Sequence, residues 1–239
     1  RLGLRSGIPA LDVSAACSGF LYALDVADKY IRLEDAKNVL VIGVDLFSRV
    51  VDWTDRSTCV LFGDGAGAAV LKAESNGNGI LSTHMHSDGR HGELLYAPMD
   101  IKEHPFSVKD EAKADDNGSK LREPSTLKMR GNEIFKIAVR SMNGAIMEAL
   151  DSNGLKAEDI TLLVPHQANT RIIKAMKDRL DLPDGKIFVN ISKYGNTSAA
   201  SIPIALDEAF REGRIKDGDI VIMVAFGGGL TWGSVAVRW

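Results

Sequence analysis

Short apolar runs alternate with longer amphipathic stretches along this chain. Short apolar runs, which are typical of buried strands, lie at 39–44, 66–71, 80–84, 160–164, 187–189, 220–225 and 234–237. Stretches with apolar residues three and four positions apart, which are typical of helices, lie at 19–33, 132–152, 169–180 and 198–211. Buried strands separated by amphipathic helices favour a mainly parallel sheet covered by helices on both faces. The pattern predicts an α/β protein.

The same order of elements occurs twice, as a faint internal repeat. In each copy a helix is followed by a strand, by a phenylalanine with a glycine-rich turn (Phe62 and Phe226), and by a second strand. Two similar halves are expected to stack their sheets, with helices in layers and a site between the halves. The turn-forming cluster at 75–79 places the boundary between an N-terminal half, 1–75, and a C-terminal half, 76–239.

One segment, 100–125, interrupts this pattern with a polar composition. Lysine, aspartate, glutamate and asparagine are frequent in it, and its apolar residues are too sparse to build a core element. We therefore predict a solvated loop at these positions.

The composition excludes several classes of protein. The 239 residues are 45% hydrophobic and 26% charged, which is typical of a globular protein in water. The net charge of −3, from 29 basic and 32 acidic side chains, provides no bulk attraction to nucleic acid or to an anionic membrane. The two cysteines, Cys17 and Cys59, argue against a disulfide framework, and we expect neither a signal peptide nor a membrane span. We predict a cytoplasmic protein without a nucleic-acid or membrane partner.

Cys17 lies where the apolar run 8–13 meets the first predicted helix. The first turn of a helix leaves backbone N–H groups unpaired, and the helix dipole favours negative charge there. Both effects lower the cost of forming a thiolate, which is the form of cysteine that attacks carbonyl carbon. Cys17 is therefore a candidate nucleophile, and the alternative is a small buried apolar side chain.

Three further features each come shortly after a predicted strand: His166, Asn196 and a run of three glycines that includes Gly228. The carboxyl ends of strands in an α/β sheet form the crevice where ligands bind. Taken singly, each feature has a structural explanation, as a hydrogen-bonded histidine, a helix-capping asparagine or a tight hairpin. Their recurrence at strand ends predicts that they converge with Cys17 on one pocket.

The residue types in this set indicate a particular chemistry. A cysteine nucleophile accepts an acyl group from a thioester, and no carboxylate follows His166 to make it a strong base as in a serine-type triad. Histidine and asparagine both donate hydrogen bonds from side-chain nitrogen, so together they can stabilise the enolate of a thioester. Backbone N–H groups of the glycine run and of Cys17 would form a second oxyanion hole. Such a site favours decarboxylative carbon–carbon bond formation over hydrolysis.

Four segments that contain these residues resemble one protein family, and they occur in the family's order. They are DVSAACSGF at 12–20, VPHQAN at 164–169, GNTSAAS at 195–201 and FGGGLTWG at 226–233. They resemble beta-ketoacyl-acyl-carrier-protein synthase III, a family of thiolase-like condensing enzymes that begin bacterial type II fatty acid synthesis. The resemblance implies a thiolase-like fold of two similar halves. It also implies further strands and helices before Arg1, so we expect the N-terminal part of the first half to be missing.

The resemblance implies an acyltransferase reaction. An acyl-CoA primer, acetyl-CoA, would acylate Cys17, and malonyl-acyl carrier protein would then enter. His166 and Asn196 would stabilise the enolate that forms as CO2 leaves, and Gly228 would belong to the oxyanion hole. Attack of the enolate on acyl-Cys17 would give 3-oxoacyl-acyl carrier protein. The resemblance further implies a cytoplasmic homodimer that needs no metal or redox cofactor.

Two sets of binding residues follow from the same resemblance. Those expected to bind acyl carrier protein are Gln167, Ala168, Asn169, Thr170 and Arg171, followed by the basic residues Lys174 and Lys177. Those expected to bind CoA or its pantetheine arm are Arg56, Gly131, Phe135 and Asn169. Basic side chains suit an acidic partner, and the alternative is an ordinary solvated helix face.

Three other functions stay open from the residues alone. A type III polyketide synthase-like enzyme shares the Cys–His–Asn set but works on CoA esters only. A metal-dependent hydrolase would use His84, His86 and His91, which lie close together in the sequence. A catalytically inactive relative would bind partners without acylating Cys17.

Overall fold

The computed structural model describes residue 3, residues 6–97 and residues 126–239. The predicted polar loop at 100–125 lies outside the described residues. Within the described ranges helices and strands alternate along the chain, and the predicted α/β class is confirmed.

The strands of the described residues form three sheets. They are β1 (Asn38–Asp45), β2 (Gly65–Lys72), β3 (Gly79–Ser87), β4 (Leu95–Tyr96), β5 (Lys128–Met129), β6 (Leu162–Pro165), β7 (Ile220–Gly227) and β8 (Thr231–Arg238). Every predicted strand except 187–189 corresponds to one of them. The short β4–β5 pair was not predicted.

The main sheet has the order β3-β8-β7-β6, and β1 pairs with β2 in a separate sheet. Only β6 and β7 run parallel; the other described ladders are antiparallel. The prediction of a mainly parallel sheet is therefore wrong for the described part of the chain. The reason is local, because β7 and β8 are joined by a short turn at 228–230, and a short turn joins only antiparallel neighbours.

The predicted strand at 187–189 is also wrong. Ile187 makes an isolated bridge to Leu163, and the backbone N–H of Phe188 donates to the carbonyl of Leu163 at 2.9 Å. The carbonyl of Phe188, however, accepts a hydrogen bond from the side chain of Gln167 at 3.2 Å. The side chain of Gln167 thus occupies the carbonyl of Phe188, which would otherwise have extended the ladder.

Four of the five α-helices of the described residues agree closely with the predicted stretches, and the short helix α4 was not predicted. They are α1 (Gly19–Arg32), α2 (Gly131–Ser152), α3 (Thr170–Leu180), α4 (Ile191–Tyr194) and α5 (Ser201–Arg211). The predicted helix 198–211 divides into a 3₁₀ turn, Ser198–Ala200, and α5. Among the described residues, none of the helices combines the length and the apolar character needed to cross a lipid bilayer.

The helices and sheets lie in layers. Helices α1 and α5 lie between the β1–β2 pair and the main sheet, where Phe20, Val41 and Ile202 belong to one buried cluster. Helices α2 and α3 cover the other face of the main sheet, with Met142 and Met176 fully buried. Full burial of a side chain of this size stabilises the fold by about 1.5–3 kcal/mol. The predicted stacking of sheets with helices in layers is confirmed.

The β1–β2 pair approaches the start of α5 closely because glycines occupy the contact. A Cβ atom at Gly43 would lie 2.5 Å from the carbonyl oxygen of Ala199, and one at Gly67 would lie 2.9 Å from the ring of Pro203. A larger residue at either position would push the strand pair away from the helical layer. The approach brings the end of β1 to the segment before α5, where Oδ2 of Asp45 accepts a hydrogen bond from the backbone of Ala199 at 3.0 Å.

Candidate active site

Cys17, His166 and Asn196 line one cavity of about 350 Å³. They come from three distant parts of the sequence, and the structure brings them together as predicted. The glycine run, which was expected to converge with them, does not line the cavity. The cavity lies between the turn that precedes α1, the end of β6 and the first turns of α2 and α3. Other predicted residues in its wall are Gly131, Phe135, Ala168, Asn169 and Arg171.

Cys17 lies in a 3₁₀ turn, Ala16–Ser18, immediately before α1 rather than within its first turn. Its side chain is 6% exposed, and its sulfur lies 3.3 Å from Oγ of Ser198. Burial, with a smaller contribution from the charge of Asp45, raises the pKa of Cys17 to about 11. The expectation of a readily formed thiolate is therefore wrong for Cys17. The increase in the pKa of Cys17 caused by desolvation outweighs any decrease caused by the neighbouring helix end. The sulfur is therefore a thiol at neutral pH.

The end of β7 reaches the turn that carries the sulfur because residue 227 is glycine. A Cβ atom at Gly227 would lie 2.7 Å from the backbone nitrogen of Cys17 and 3.1 Å from that of Ser18. Any side chain there would displace the nucleophile. The glycine run thus has a steric role beside the backbone role predicted for it.

His166 follows β6 and is 1% exposed. Its backbone N–H donates to the carbonyl of Val224 at 2.7 Å, which continues the β6–β7 ladder and fixes the backbone of the residue. Its Nδ1 atom lies 2.7 Å from Oγ of Ser201. Burial lowers the pKa of His166 to about 4, so the imidazole is neutral at pH 7.

Asn196 is held through its backbone and through one side-chain atom. Its backbone N–H donates to the carbonyl of Leu61 at 2.8 Å, and its carbonyl accepts from the N–H of Gly63 at 3.0 Å. Its Oδ1 atom accepts from the backbone N–H of Ser198 at 2.9 Å. With the oxygen occupied, Nδ2 is the side-chain atom left for the cavity. The capping role considered for this asparagine and a role in the site are therefore both compatible with the structure.

Three predicted site residues lie near the cavity but outside its wall. Arg56 is exposed and adjacent to Ser57, which does line the cavity. Thr170 begins α3 with an exposed side chain. Gly228 lies in the β7–β8 turn, where a Cβ atom would be 3.7 Å from Cβ of Ala16 and so close to the nucleophile's turn.

Gln167 is placed differently from the role predicted for it. Its side chain is 1% exposed, and its Nε2 atom donates to the carbonyls of Pro165 at 2.8 Å and Phe188 at 3.2 Å. Its Oε1 atom accepts from the backbone N–H groups of Asn190 at 3.0 Å and Ile191 at 3.2 Å. The side chain is an internal brace between the end of β6 and the segment before Asn196, so a carrier protein cannot contact it in this conformation.

The remaining predicted binding residues have defined surroundings. The guanidinium of exposed Arg171 lies 5.3 Å from the ring centre of Phe135, a cation–π contact at the cavity wall. Oδ1 of Asn169 accepts from the backbone N–H of Ile172 at 2.9 Å and caps α3. Lys174 is exposed, whereas Lys177 forms an ion pair with Asp184.

Three polar residues of the site were not assigned a role from sequence: Asp45, Ser198 and Ser201. Ser198 is buried, contacts the sulfur of Cys17, and interacts with the carboxyl of Asp45, whose pKa is raised mainly by burial. Asp45 follows a predicted strand directly, so the strand-end rule that found His166 would have found it. Ser198 and Ser201 lie within a recognised motif, but no spacing distinguishes them from helix-capping serines.

Two of the three histidines proposed for a metal-dependent hydrolase, His84 and His86, contact one glutamate, Glu148. Nε2 of His86 lies 2.6 Å from Oε2 of Glu148, and Nδ1 of His84 lies 3.4 Å from Oε1. The ring of His86 also stacks on Trp232 with centroids 5.6 Å apart. In the described ranges, no group of three or more His, Cys, Asp or Glu side chains is placed to hold a metal ion.

Known proteins are similar in sequence to this chain, and the similarity extends over nearly all of its length. The family described as 3-oxoacyl-[acyl-carrier-protein (ACP)] synthase III matches residues 11–89, and its C-terminal part matches residues 150–239. A beta-ketoacyl-[acyl-carrier-protein] synthase III of Aquifex aeolicus is 52% identical over 233 residues, which cover 98% of this chain and 68% of the relative. Another, of Xanthomonas campestris pv. campestris, is 51% identical over 239 residues, which cover 100% of this chain and 69% of the relative.

The fold is shared as well. The crystal structure of 3-oxoacyl-[acyl-carrier-protein] synthase III from Aquifex aeolicus VF5 matches with a TM-score of 0.84 at 51% identity, over 98% of this chain and 68% of that one. Stacked sheets, a helical layer between them and one cavity lined by a cysteine, a histidine and an asparagine fit the class of thiolase-like condensing enzymes. The chain belongs to the 3-oxoacyl-[acyl-carrier-protein] synthase III family. The predicted family, the thiolase-like fold and the acyltransferase class, with the initiating condensation of type II fatty acid synthesis as its function, are confirmed.

Proposed function

We propose that this chain joins an acyl primer to a malonyl thioester through an acyl-enzyme intermediate on Cys17. The observation that carries the proposal is that Cys17, His166 and Asn196 line one cavity. A nucleophile and two side-chain N–H donors around one space suit a reaction that forms first an acyl-enzyme and then an enolate.

In the priming step the sulfur of Cys17 attacks the carbonyl carbon of an acyl-CoA, for which we take acetyl-CoA. A C–S bond to Cys17 forms, the C–S bond to CoA breaks, and the thiol proton ends on the sulfur of CoA. Because burial keeps the thiol protonated at neutral pH, the proton leaves during the attack rather than before it. The hydroxyl of Ser198, 3.3 Å from Sγ, is placed to donate to the sulfur as negative charge develops.

In the condensation step the bound malonyl thioester loses CO2, and the electrons of the broken C–C bond form an enolate. His166 and Asn196 donate hydrogen bonds to the enolate oxygen, a role that suits a neutral imidazole and an amide with its oxygen already occupied. The enolate carbon attacks the carbonyl carbon of acyl-Cys17. A C–C bond forms, the C–S bond breaks, and the sulfur takes up a proton from water.

The carrier protein docks on α3 in this proposal. Arg171 and Lys174 present exposed positive charge there, which suits an acidic partner. The contact of Arg171 with Phe135 joins this basic face to the cavity wall. The pantetheine arm passes Gly131, Phe135 and Asn169, and Arg56 contacts the nucleotide end of CoA.

We also propose that the enzyme is a cytoplasmic homodimer that needs no metal or redox cofactor, as each step above uses only protein groups. Its two halves are 1–75 and 76–239. The division is supported by the sheets, because the β1–β2 pair lies wholly in the first half and the main sheet wholly in the second.

The mass of the intact protein after incubation with a panel of acyl-CoAs tests the acyl-enzyme and the choice of primer. Acetyl-CoA should add one acetyl group to the unmodified chain and to Cys59→Ala, the matched control that removes the other cysteine. Cys17→Ala should gain none. Acetylation of Cys17→Ala at the same rate would overturn the proposal, and a chain that gains no acyl group at all would be a catalytically inactive relative.

Steady-state kinetics with malonyl-carrier protein test the docking face. Arg171→Glu should raise the KM for malonyl-carrier protein by about tenfold and that for acetyl-CoA by less than about twofold, because the reversed charge repels an acidic partner. Arg179→Glu reverses an exposed charge on the same helix outside the cavity wall and serves as the control. Equal turnover of malonyl-CoA and malonyl-carrier protein would instead indicate a type III polyketide synthase-like enzyme.

A further inference from the structure

The contact between His166 and Ser201 is buried on both sides. Nδ1 of His166 lies 2.7 Å from Oγ of Ser201, and Ser201 is 2% exposed. The same hydroxyl oxygen lies 3.3 Å from the backbone nitrogen of Gln167, which can only donate. The hydroxyl of Ser201 therefore accepts a hydrogen bond from Gln167. Its hydrogen bond with Nδ1 of His166 runs in one direction or the other, depending on which ring nitrogen carries the imidazole hydrogen.

The number of hydrogens available decides whether Nδ1 of His166 donates or accepts. A serine hydroxyl has one hydrogen and two lone pairs, and the N–H of Gln167 occupies one lone pair. In the part of the chain that the structure describes, Nδ1 of His166 is the one acceptor within hydrogen-bond distance of the Ser201 hydroxyl. If Nδ1 carried a hydrogen instead, the hydroxyl hydrogen would be buried without a partner. Such an arrangement is disfavoured by roughly tenfold or more.

The imidazole has one hydrogen to place, because burial keeps His166 neutral above about pH 4. A neutral imidazole carries that hydrogen on either Nδ1 or Nε2, and the partner of one nitrogen decides the form. With Nδ1 accepting from Ser201, the hydrogen is on Nε2. Nε2 is also the ring nitrogen that is left for the cavity, since Nδ1 is turned to Ser201.

We propose that Ser201 is a positioning residue that holds His166 as the Nε2–H form, so that the imidazole meets the thioester oxygen as a hydrogen-bond donor. In this form Nε2 has no free lone pair, so His166 cannot take the proton of the Cys17 thiol from the cavity side. Ser201 itself touches no substrate. The inference rests on the proposed role of His166 in the condensation step.

Nitrogen-15 NMR of the full chain with labelled histidines tests the assignment directly. Correlation of ring carbon-bound protons with both ring nitrogens distinguishes the two neutral forms, and comparison with His166→Asn identifies the signals of His166 among the five histidines. At pH 7 the unmodified chain should show the hydrogen on Nε2. A hydrogen on Nδ1 would overturn the proposal, whether or not any Ser201 variant folds.

The variant Ser201→Ala should populate both neutral forms of His166. The matched control is Ser234→Ala, which removes another buried hydroxyl, one that donates to the carbonyl of Ala145 at 2.7 Å. The control should leave the His166 signals unchanged. An unchanged Nε2–H form in Ser201→Ala would show that Ser201 does not hold it and would overturn the proposal.

The two half-reactions provide the kinetic readout. Ser201→Ala should slow decarboxylation of malonyl-carrier protein about tenfold and leave acetylation of Cys17 by acetyl-CoA within about twofold. Equal slowing of both steps would indicate a merely structural role and contradict the proposal. If His166→Ala does not slow decarboxylation while NMR shows the Nε2–H form, the assignment of Ser201 is supported and the proposed function of His166 fails.

Discussion

On one side of the cavity lies Cys17, and on the other lies His166. Burial shifts their pKa values in opposite directions, and both groups end up uncharged. Burial raises the pKa of Cys17 to about 11 and lowers that of His166 to about 4. Desolvation always disfavours the charged form, which is the anion for a thiol and the cation for an imidazole. Both groups are therefore uncharged at neutral pH.

This arrangement differs from a cysteine–histidine ion pair, in which an imidazolium stabilises the thiolate. Here each group has its own serine hydroxyl, Ser198 beside Cys17 and Ser201 beside His166. The two titratable groups are therefore supported by different hydroxyls, whereas Asn196 shares Ser198 with Cys17, because the backbone N–H of Ser198 donates to Oδ1 of Asn196. Acyl transfer and enolate formation should then be separable by mutation.

The largest effect is expected on the donor side. His166→Ala and Asn196→Ala should each slow decarboxylation by roughly 10²–10³-fold, because each removes one hydrogen-bond donor to the enolate oxygen. Acetylation of Cys17 should stay within about threefold of the unmodified rate. Release of labelled CO2 and transfer of labelled acetyl groups measure the two steps. Loss of both steps together would show that the two sides act as one unit.

The second effect is on stability at low pH. Unfolded His166 takes up a proton below its ordinary pKa of 6.5, whereas the folded residue stays neutral down to about pH 4. The unfolded state therefore binds more protons in this window, and the free energy of unfolding decreases as the pH falls from 6.5 to about 4. The contribution of His166 should be about 3 kcal/mol.

Urea unfolding at a series of pH values measures this contribution, with His166→Asn as the comparison. Carboxyl groups titrate in both proteins, so the difference between the two curves reports His166. The unmodified chain should lose stability more steeply between pH 6.5 and about 4. Parallel curves would mean that His166 is not neutral in the folded protein over this pH range. They would contradict the conclusion that Cys17 and His166 are both uncharged.

The smallest effect is expected on the thiol side. Ser198→Ala should slow alkylation of Cys17 by about threefold at pH 8, because the hydrogen bond from Ser198 lowers the pKa of Cys17 against the larger effect of burial. The rate for Cys17 should rise about tenfold per pH unit below pH 11. Alkylation of partly exposed Cys59, measured in the same sample by peptide mass, is the internal control. A faster reaction of Cys17 in the variant would contradict the assigned contact.

Features that depend on sequence order alone were predicted well. His166 was found because a polar residue that follows a strand lies at the ligand-binding edge of an α/β layer. Asn196 was expected there for the same reason, but the strand predicted before it does not form, and its position comes instead from backbone hydrogen bonds with Leu61 and Gly63. The helix boundaries were found to within a few residues because amphipathic periodicity reports the buried face directly. The alternation of strands and helices does not encode strand direction, so the sheet was predicted to be mainly parallel even though a hairpin at the glycine run was expected.

Features that depend on the surroundings of a side chain were not predicted. The pKa of Cys17 was expected to fall because the nearby helix end can be recognised in the sequence. The residues that bury the sulfur are distant in the sequence, so the desolvation that raises its pKa could not be recognised. Gln167 was expected to bind a carrier protein because the family resemblance covers the segment 167–171. Its four side-chain hydrogen bonds instead reach backbone atoms, three of them more than twenty positions away. Which face of a short loop turns inward is decided by tertiary contacts, so a motif alone cannot show it.

The middle helical layer has one more consequence. Cys17 precedes α1 and Asn196 precedes α5, and both helices are wedged between the β1–β2 pair and the main sheet. The turn of Cys17 and the segment of Ser198 meet in this layer, where Oγ of Ser198 lies 3.3 Å from the sulfur, so loosening of the layer would disturb the site while every strand kept its partners. On gentle warming, catalytic competence should therefore disappear at a lower temperature than the circular-dichroism signal of the sheets.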